Sequence, residues 1–498
     1  MARSVLTWCA AAVLVCACGE KDVDASGDTD GEVPGEGDAC EPDADDAADT
    51  DDDDEPACAD GYACERSGDA HICAAPIELR GIVLDALSEE PIEGAHVTAL
   101  DATGTPVGSV SVSDADGRYV ITVTAVRNDD GSISGTDTWT LFATAADYQP
   151  FPGGLRPAIP INAADAVSEA ASQDGEPDRW VIENPSTDVG LLLLPSAQSG
   201  GRTVSGVVRG DSPGGTLVVA EGSADEASRY AIADADGHYT VFNVPAGPHT
   251  MVGYRGGLDV LPASVDGDAD VEDADLETGD GAATAAVRGS VNIVNAPGGS
   301  ATSVVLIPNS LYNDNLERGP VPKGLRAPQA PEAPSVEGAF EIEGVPEGRY
   351  KVLAAFENDA LVRDPDTSIA GTAIVEIDVG NVDVDLAKSF KITEGLDVVS
   401  PGAQVPEVVS GTPTFVFADD SSEDRYEVLV FDAFGELVWQ DLEIPGVTGS
   451  DVVEVPYAGP ALEAGQYYQF RATSIRETPN STTAISRTED LRGVFIAG

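Results

Sequence analysis

The sequence predicts an all-β protein: tandem β-sandwich domains that follow a disordered acidic tether and a small disulfide-rich module. Three observations carry that expectation. From Pro76 onward, short β-branched and aromatic runs alternate with Gly, Pro and Asp, which is the pattern of strands and turns. The stretch YTVFNVPAGPHTM (Tyr239 to Met251) aligns with FEIEGVPEGRYKV (Phe340 to Val352) without a gap, an offset of domain size rather than of a solenoid unit. All 7 cysteines lie at or before Cys73, which confines any disulfide framework to the N-terminal part. A chain of 498 residues has room for about three or four domains, each with its own core.

The chain opens MARSVLTWCAAAVLV, with Arg3 before an apolar run too short for the roughly 30 Å core of a bilayer. Residues 1–17 therefore read as a secretory signal peptide. Val15, Cys16, Ala17 and Cys18 resemble the bacterial lipobox, although Cys16 stands where Ala or Ser is usual. That resemblance implies lipid attachment at Cys18 and a membrane partner reached through the anchor; cleavage near Ala17 to a soluble secreted protein is the alternative. Gly19, not Asp, follows the cysteine, which favours an outer-membrane lipoprotein of the bacterial envelope.

The tether is placed at 18–39 and an acidic, cysteine-rich module at 40–75. From Gly19 to Glu55, 18 acidic residues face a single Lys21, and so much like charge with so little apolar surface predicts disorder. The EF-hand order of carboxylates is absent there. Cys40, Cys58, Cys64 and Cys73 form an even set, which in an exported chain favours two disulfides in any of three connectivities. A zinc site is disfavoured because no CxxC occurs and His71 is the only nearby imidazole. The spacing in CADGYACERSGDAHIC loosely resembles an EGF-like module.

Three sandwiches are expected at 76–198, 199–283 and 284–387. Each opens with a strand containing Gly81, Gly206 or Gly289, followed by a turn with Pro91, Pro213 or Pro297. The first two then share DADGRYVITV and DADGHYTVFN, in which Tyr119, Ile121 and Val123 form an inward file of period two. The order G-x-V, P-x-x-G-A, D-x-D-G-x-Y and V-P-x-G-x-Y resembles the carboxypeptidase regulatory-like domain, a transthyretin-like sandwich. That resemblance implies a fold and says almost nothing of function.

The first copy departs from this pattern by two insertions, VRNDDGSISGTDTW and about 150–188, which carry Trp139 and Trp180. Insertions of this length are usually functional or disordered. These tryptophans either fill the core and cover an edge or face a ligand such as a glycan. Residues 388–498 resemble a fibronectin type III domain through LEAGQYYQFRATSI, with Tyr468 as the corner tyrosine, Phe470 and Ala472 inward, and Phe417 where that family often has Trp.

The chemistry that the sequence excludes is as informative. A net charge of -62 argues against nucleic acid and against anionic membrane surfaces as partners, because neither is bound without clustered Lys and Arg. The four histidines, His71, His96, His238 and His249, lack the HxxE and HExxH spacings of zinc peptidases. GDSPG at Gly210 to Gly214 joins two strands, whereas a hydrolase elbow needs a strand-to-helix turn. Phosphate-binding loops are absent. Asp114 with Asp116, and Asp234 with Asp236, suit a tight hairpin better than calcium. Lys351 is the best-placed donor for a Lys-Asn isopeptide bond in the third sandwich, but no motif marks its partner. The sequence thus predicts neither enzyme, metal nor cofactor. It predicts a non-catalytic surface interaction or structural module, with carbohydrate binding, or service to an exported enzyme or transporter, as alternatives.

Overall fold

The computed structural model describes residues 35–41, 58–170, 178–222, 228–279, 284–296, 301–356, 360–366, 374–420 and 422–498. The proposed signal peptide, Cys18 and most of the acidic tether lie outside them. Among the described residues there is no α-helix, only two short 3-10 turns at Ala163–Asp165 and Asn309–Leu311. The chain is a set of tandem β-sandwiches behind a small disulfide-linked hairpin.

That hairpin pairs Ala63–Ser67 with Ala70–Ala74 and sets Cys64 opposite Cys73. Of the three connectivities, the protein has Cys40–Cys64 and Cys58–Cys73.

The next three sandwiches share one topology. In the first, Ile77–Asp85 lies between antiparallel Arg118–Val123 on one edge and parallel Arg179–Ile182 and Val189–Leu193 on the other. In the second, Arg202–Arg209 lies between antiparallel His238–Val244 and parallel Leu276–Glu277. The third repeats this, with Thr284–Ile293 between antiparallel Ala339–Pro346 and parallel Val384–Asp385 and Phe390–Glu394. Phe390–Glu394 therefore belongs to the third sandwich, although the sequence pattern of that unit ends near 387. The facing sheets also correspond. Their central pairs are His96–Leu100 with Thr138–Thr144, Leu217–Glu221 with His249–Tyr254, and Val304–Pro308 with Gly348–Ala354.

The last sandwich is built differently. One sheet holds Val398–Ser400, Thr414–Ala418 and Val452–Pro456, and the other centres on Tyr467–Thr478 beside Arg425–Asp432. Phe415, Phe417, Tyr426, Phe470 and Phe495 are fully buried in its core. Tyr468 accepts a hydrogen bond from the Glu463 backbone N–H at 3.0 Å, which closes the corner at the start of its strand.

Alternation of burial follows the pleat, as in Arg118–Val123, where Tyr119, Ile121 and Val123 are inside and their neighbours outside. Core boundaries do not follow the sandwiches. Leu217, Val219 and Tyr254 of the second pack into one cluster with Val304, Leu306, Tyr350 and Val352 of the third.

Candidate functional site

The two insertions of the first sandwich become contacts. Val126 to Asp137 folds against the disulfide hairpin, where Arg127 pairs with Glu65, both side chains being almost wholly buried. Arg127 also donates to the Ala75 carbonyl, and the other Glu65 carboxylate oxygen accepts the Ala125 N–H at 3.0 Å. Burial raises the Glu65 pKa despite the opposing hydrogen bond and charge of Arg127. Beyond this loop, Trp139 lies in the strand Thr138–Thr144 and is 2% exposed within the core, so it offers no face to a ligand. Trp180 lies on Arg179–Ile182, half-buried and packed on the same core.

The second insertion starts at the end of the short strand Tyr148–Gln149. Phe151 and Ala143 exchange backbone hydrogen bonds, and Gly153 and Arg156 close a tight turn. This places Leu155 and Arg156 at the meeting point of the sandwiches. Leu155 packs with Leu316 of the third and with Phe431 and Val494 of the fourth.

Each neighbouring pair of sandwiches is fastened by polar groups. Asn243 of the second donates to the Ala145 and Tyr148 carbonyls and accepts the Asp147 N–H at 2.6 Å. Asp234 and Asp236 also face the first sandwich: they accept hydrogen bonds from the Val110 N–H and the Ser109 hydroxyl. Glu221 of the second accepts from Ser310 of the third at 2.6 Å. Asn313 and Asn315 of the third donate to the Phe434 and Gly435 carbonyls of the fourth. Gln149 of the first reaches the Ala433 carbonyl of the fourth at 3.2 Å, so the contacts close on themselves.

Beside these contacts lies a charged cluster. Arg363 and Arg487 share Glu317 and Asp490, with Arg363 Nη2 at 2.5 Å from Glu317 Oε2 and 2.7 Å from Asp490 Oδ2. Burial opposes ionisation of Glu317 and Asp490, but the two arginines outweigh it and hold both carboxyls well below the ordinary range.

In the middle is a cavity of about 520 Å³ lined by residues of all four sandwiches. Phe142, Tyr230, Phe242, Leu316 and Phe356 supply much of its apolar wall. Arg156, 6% exposed, lines it together with Arg229 and Arg318. The Arg156 guanidinium donates to the Gly190 carbonyl and lies over the rings of Phe151 (5.5 Å) and Tyr467 (6.0 Å). Its Nε and Nη2 find no acceptor, nor does Gln149 Oε1 in the same wall find a donor. Among the described residues no carboxylate pairs with Arg156, and burial pushes its pKa down to about 10.

Sequence reasoning did not find Arg156, yet a signal was there. From Tyr148 to Ala164 the chain carries no acidic residue, in a protein with 88 of them, and Arg156 is the only charge in that stretch. The other residues weighed on sequence are dispersed. Ser212 sits in a turn at φ 48° with its carbonyl accepting from Arg255. Lys351 pairs with Glu376 at 2.9 Å. His96 packs edge-on against Phe242 across the first two sandwiches, with ring centroids 5.1 Å apart. Asp234, Asp236 and His238 bring three potential ligand atoms together, and the turn and the neighbouring sandwich already engage the two carboxylates.

No protein-family model matches the chain, and no curated protein does. Solved structures with some similarity include BcpA, the major pilin subunit of Bacillus cereus, at 12% identity and a TM-score of 0.17 over 64% of this chain and 100% of that one. The Bacillus anthracis TIE protein matches at 11% identity and a TM-score of 0.13, covering 82% of this chain and 68% of that one. The shaft pilin SpaA of Lactobacillus rhamnosus GG matches at 11% identity and a TM-score of 0.16, covering 41% and 96%. With TM-scores this low, these likenesses do not bear on what the chain does.

Proposed function

We propose that this protein is a non-catalytic lipoprotein of the bacterial cell envelope, anchored through Cys18 at the outer membrane, which serves as a structural or interaction module at the surface. We read its first three sandwiches as carboxypeptidase regulatory-like and its fourth as fibronectin type III-like. The observation that carries the proposal is the unbroken series of contacts from the disulfide hairpin through all four sandwiches. Such a body suits presentation of surfaces at the end of a tether, and its residues of catalytic type are scattered among turns and strand faces. Mass spectrometry of the mature N-terminal peptide tests the anchor: a diacylated Cys18 is expected, and an unmodified peptide beginning elsewhere overturns it. More than one acyl chain is expected because a single chain holds only marginally.

Carbohydrate binding through Trp139 and Trp180 has less support, because Trp139 is enclosed in the core. A glycan array probed with the whole chain separates the two readings, since the structural one expects no signal that depends on Trp180. Co-purification of the intact lipoprotein with an exported enzyme or transporter would instead favour an accessory role.

A further inference from the structure

We propose that the cavity where the four sandwiches meet binds a small amphipathic monocarboxylate, its carboxylate on Arg156 and its apolar body against Phe142, Tyr230 and Phe356. This goes beyond the anchoring reading and does not depend on it.

A cation enclosed by apolar groups without a counter-ion is strongly unfavourable, which is why buried charges are nearly always paired. Arg156 has one carbonyl and two ring faces, and two of its nitrogens have no acceptor. In a protein with 88 acidic residues, a carboxylate for it was within easy reach of evolution. The cavity beside it holds about 520 Å³, within the range of small-molecule sites and far larger than an inorganic ion needs. Its aromatic and aliphatic wall calls for an apolar body.

Charge then limits the ligand to one negative unit. Arg229 and Arg318 also line the cavity, but each has partners beyond a single carbonyl or ring, which for Arg229 is the Gln198 carbonyl at 3.1 Å and for Arg318 the Phe356 ring at 4.4 Å. Arg156 therefore neutralises one charge, and a net charge of -62 opposes a second. Gln149 Oε1, also without a partner and in the same wall, offers an acceptor for a hydroxyl or amide N–H on the ligand.

The test uses the full mature chain with its disulfides intact and Cys18→Ser, so that no detergent competes for the probe. Titration calorimetry with decanoate, decanol and acetate should give saturable one-to-one binding of decanoate. Decanol should bind on the order of tenfold more weakly or worse, because it forgoes the charge-assisted hydrogen bonds. Acetate, which lacks the apolar body, should give no saturable heat. Arg156→Gln should weaken decanoate by a similar factor and leave decanol unchanged. A second measurement needs no variant: the carboxyl carbon of labelled decanoate, followed by NMR, should stay ionised to lower pH when bound than when free. Decanoate that fails to saturate the native chain, decanol that binds as well, or a bound carboxyl that titrates like the free acid would each overturn the proposal.

Discussion

Tyr119 lies opposite Gly81 in the strand register, Tyr239 opposite Gly206, and Phe340 opposite Gly289. The missing side chain lets the aromatic ring lie across the neighbouring strand, and the two tyrosine hydroxyls donate to the Thr187 and Ala274 carbonyls of the returning chain. This accounts for the spacing of Gly and Tyr that the repeat displays. An added Cβ at Gly81 would sit 2.0 Å from the Thr187 oxygen, so Gly81→Ala should destabilise the protein by about 3 kcal/mol in chemical denaturation, as overpacking of a core does. Tyr119→Phe should cost only ~1 kcal/mol, the net worth of one buried hydrogen bond, and the third sandwich already carries Phe there. The Asp-Ala-x-Gly turns are equally local. Asp101, Asp114, Asp234 and Asp432 each accept two backbone N–H bonds on one carboxylate oxygen and are followed by a glycine at positive φ. At Gly237, φ is +86° and a Cβ would meet the Val208 oxygen at 2.5 Å. Gly237→Ala should therefore lower stability by more than the ~1 kcal/mol of an unstrained change, measurable as a drop in melting temperature, whereas Asp116→Asn on an exposed turn should leave it nearly unchanged. The turns were legible in the sequence because each is settled within a few residues of itself, whereas the pairing of Gly with an aromatic ring across strands showed only through its repetition.

Strands and turns were readable for that reason; the destinations of the inserted loops were not. VRNDDGSISGTDTW is visibly extra, but its pairing of Arg127 with Glu65 joins residues 62 positions apart through a module whose disulfide connectivity the spacing left open. Trp139 looked like part of that loop and instead lies in a core strand, because the pattern of its strand, TWTLFAT, is obscured by the polar run before it. Removing the arginine tests the role of the loop. Arg127→Met would leave the Glu65 carboxylate enclosed without its cation, which costs about 3–5 kcal/mol when a buried pair is broken on one side. The measurable outcome is release of the hairpin: faster proteolysis between Cys73 and Ile77 and faster reduction of both disulfides, with the melting transition of the sandwiches largely retained. The cavity itself was illegible for a related reason, since its wall is assembled from segments of all four sandwiches, and only the acid-free stretch around Arg156 hinted at it.

For the molecule as a whole, closure of the contacts means that the sandwiches should not unfold one by one. Removing 396–498, which leaves Phe390–Glu394 in the third sandwich, would expose Leu155 and Leu316, so the truncated chain should bind hydrophobic dyes and melt lower, where an independent domain would leave the rest untouched. The Glu317 cluster makes the third and fourth sandwiches sensitive to acid in a definite direction. Carboxyls held below their ordinary range add stability that is complete above that range, about pH 4 to 5, and is lost as pH falls through it. Surface carboxylates act oppositely, because their protonation relieves self-repulsion. The expected result is a melting temperature that falls between pH 5 and 3 in the native protein and falls less in Glu317→Gln, which is already weaker at neutral pH. A steeper fall in the variant would rule out the cluster as the source. The parallel pairing of Ile77–Asp85 with Val189–Leu193 recurs as Arg202–Arg209 with Leu276–Glu277 and as Thr284–Ile293 with Phe390–Glu394. In each, the strand that leads into a sandwich runs beside one near its exit and points the same way. Tension applied along the chain then pulls those two strands past each other and loads their hydrogen bonds together in shear, where an antiparallel hairpin would peel open bond by bond. A chain pulled at its two ends would therefore resist extension until the sandwiches give way, at the rate of their common unfolding step.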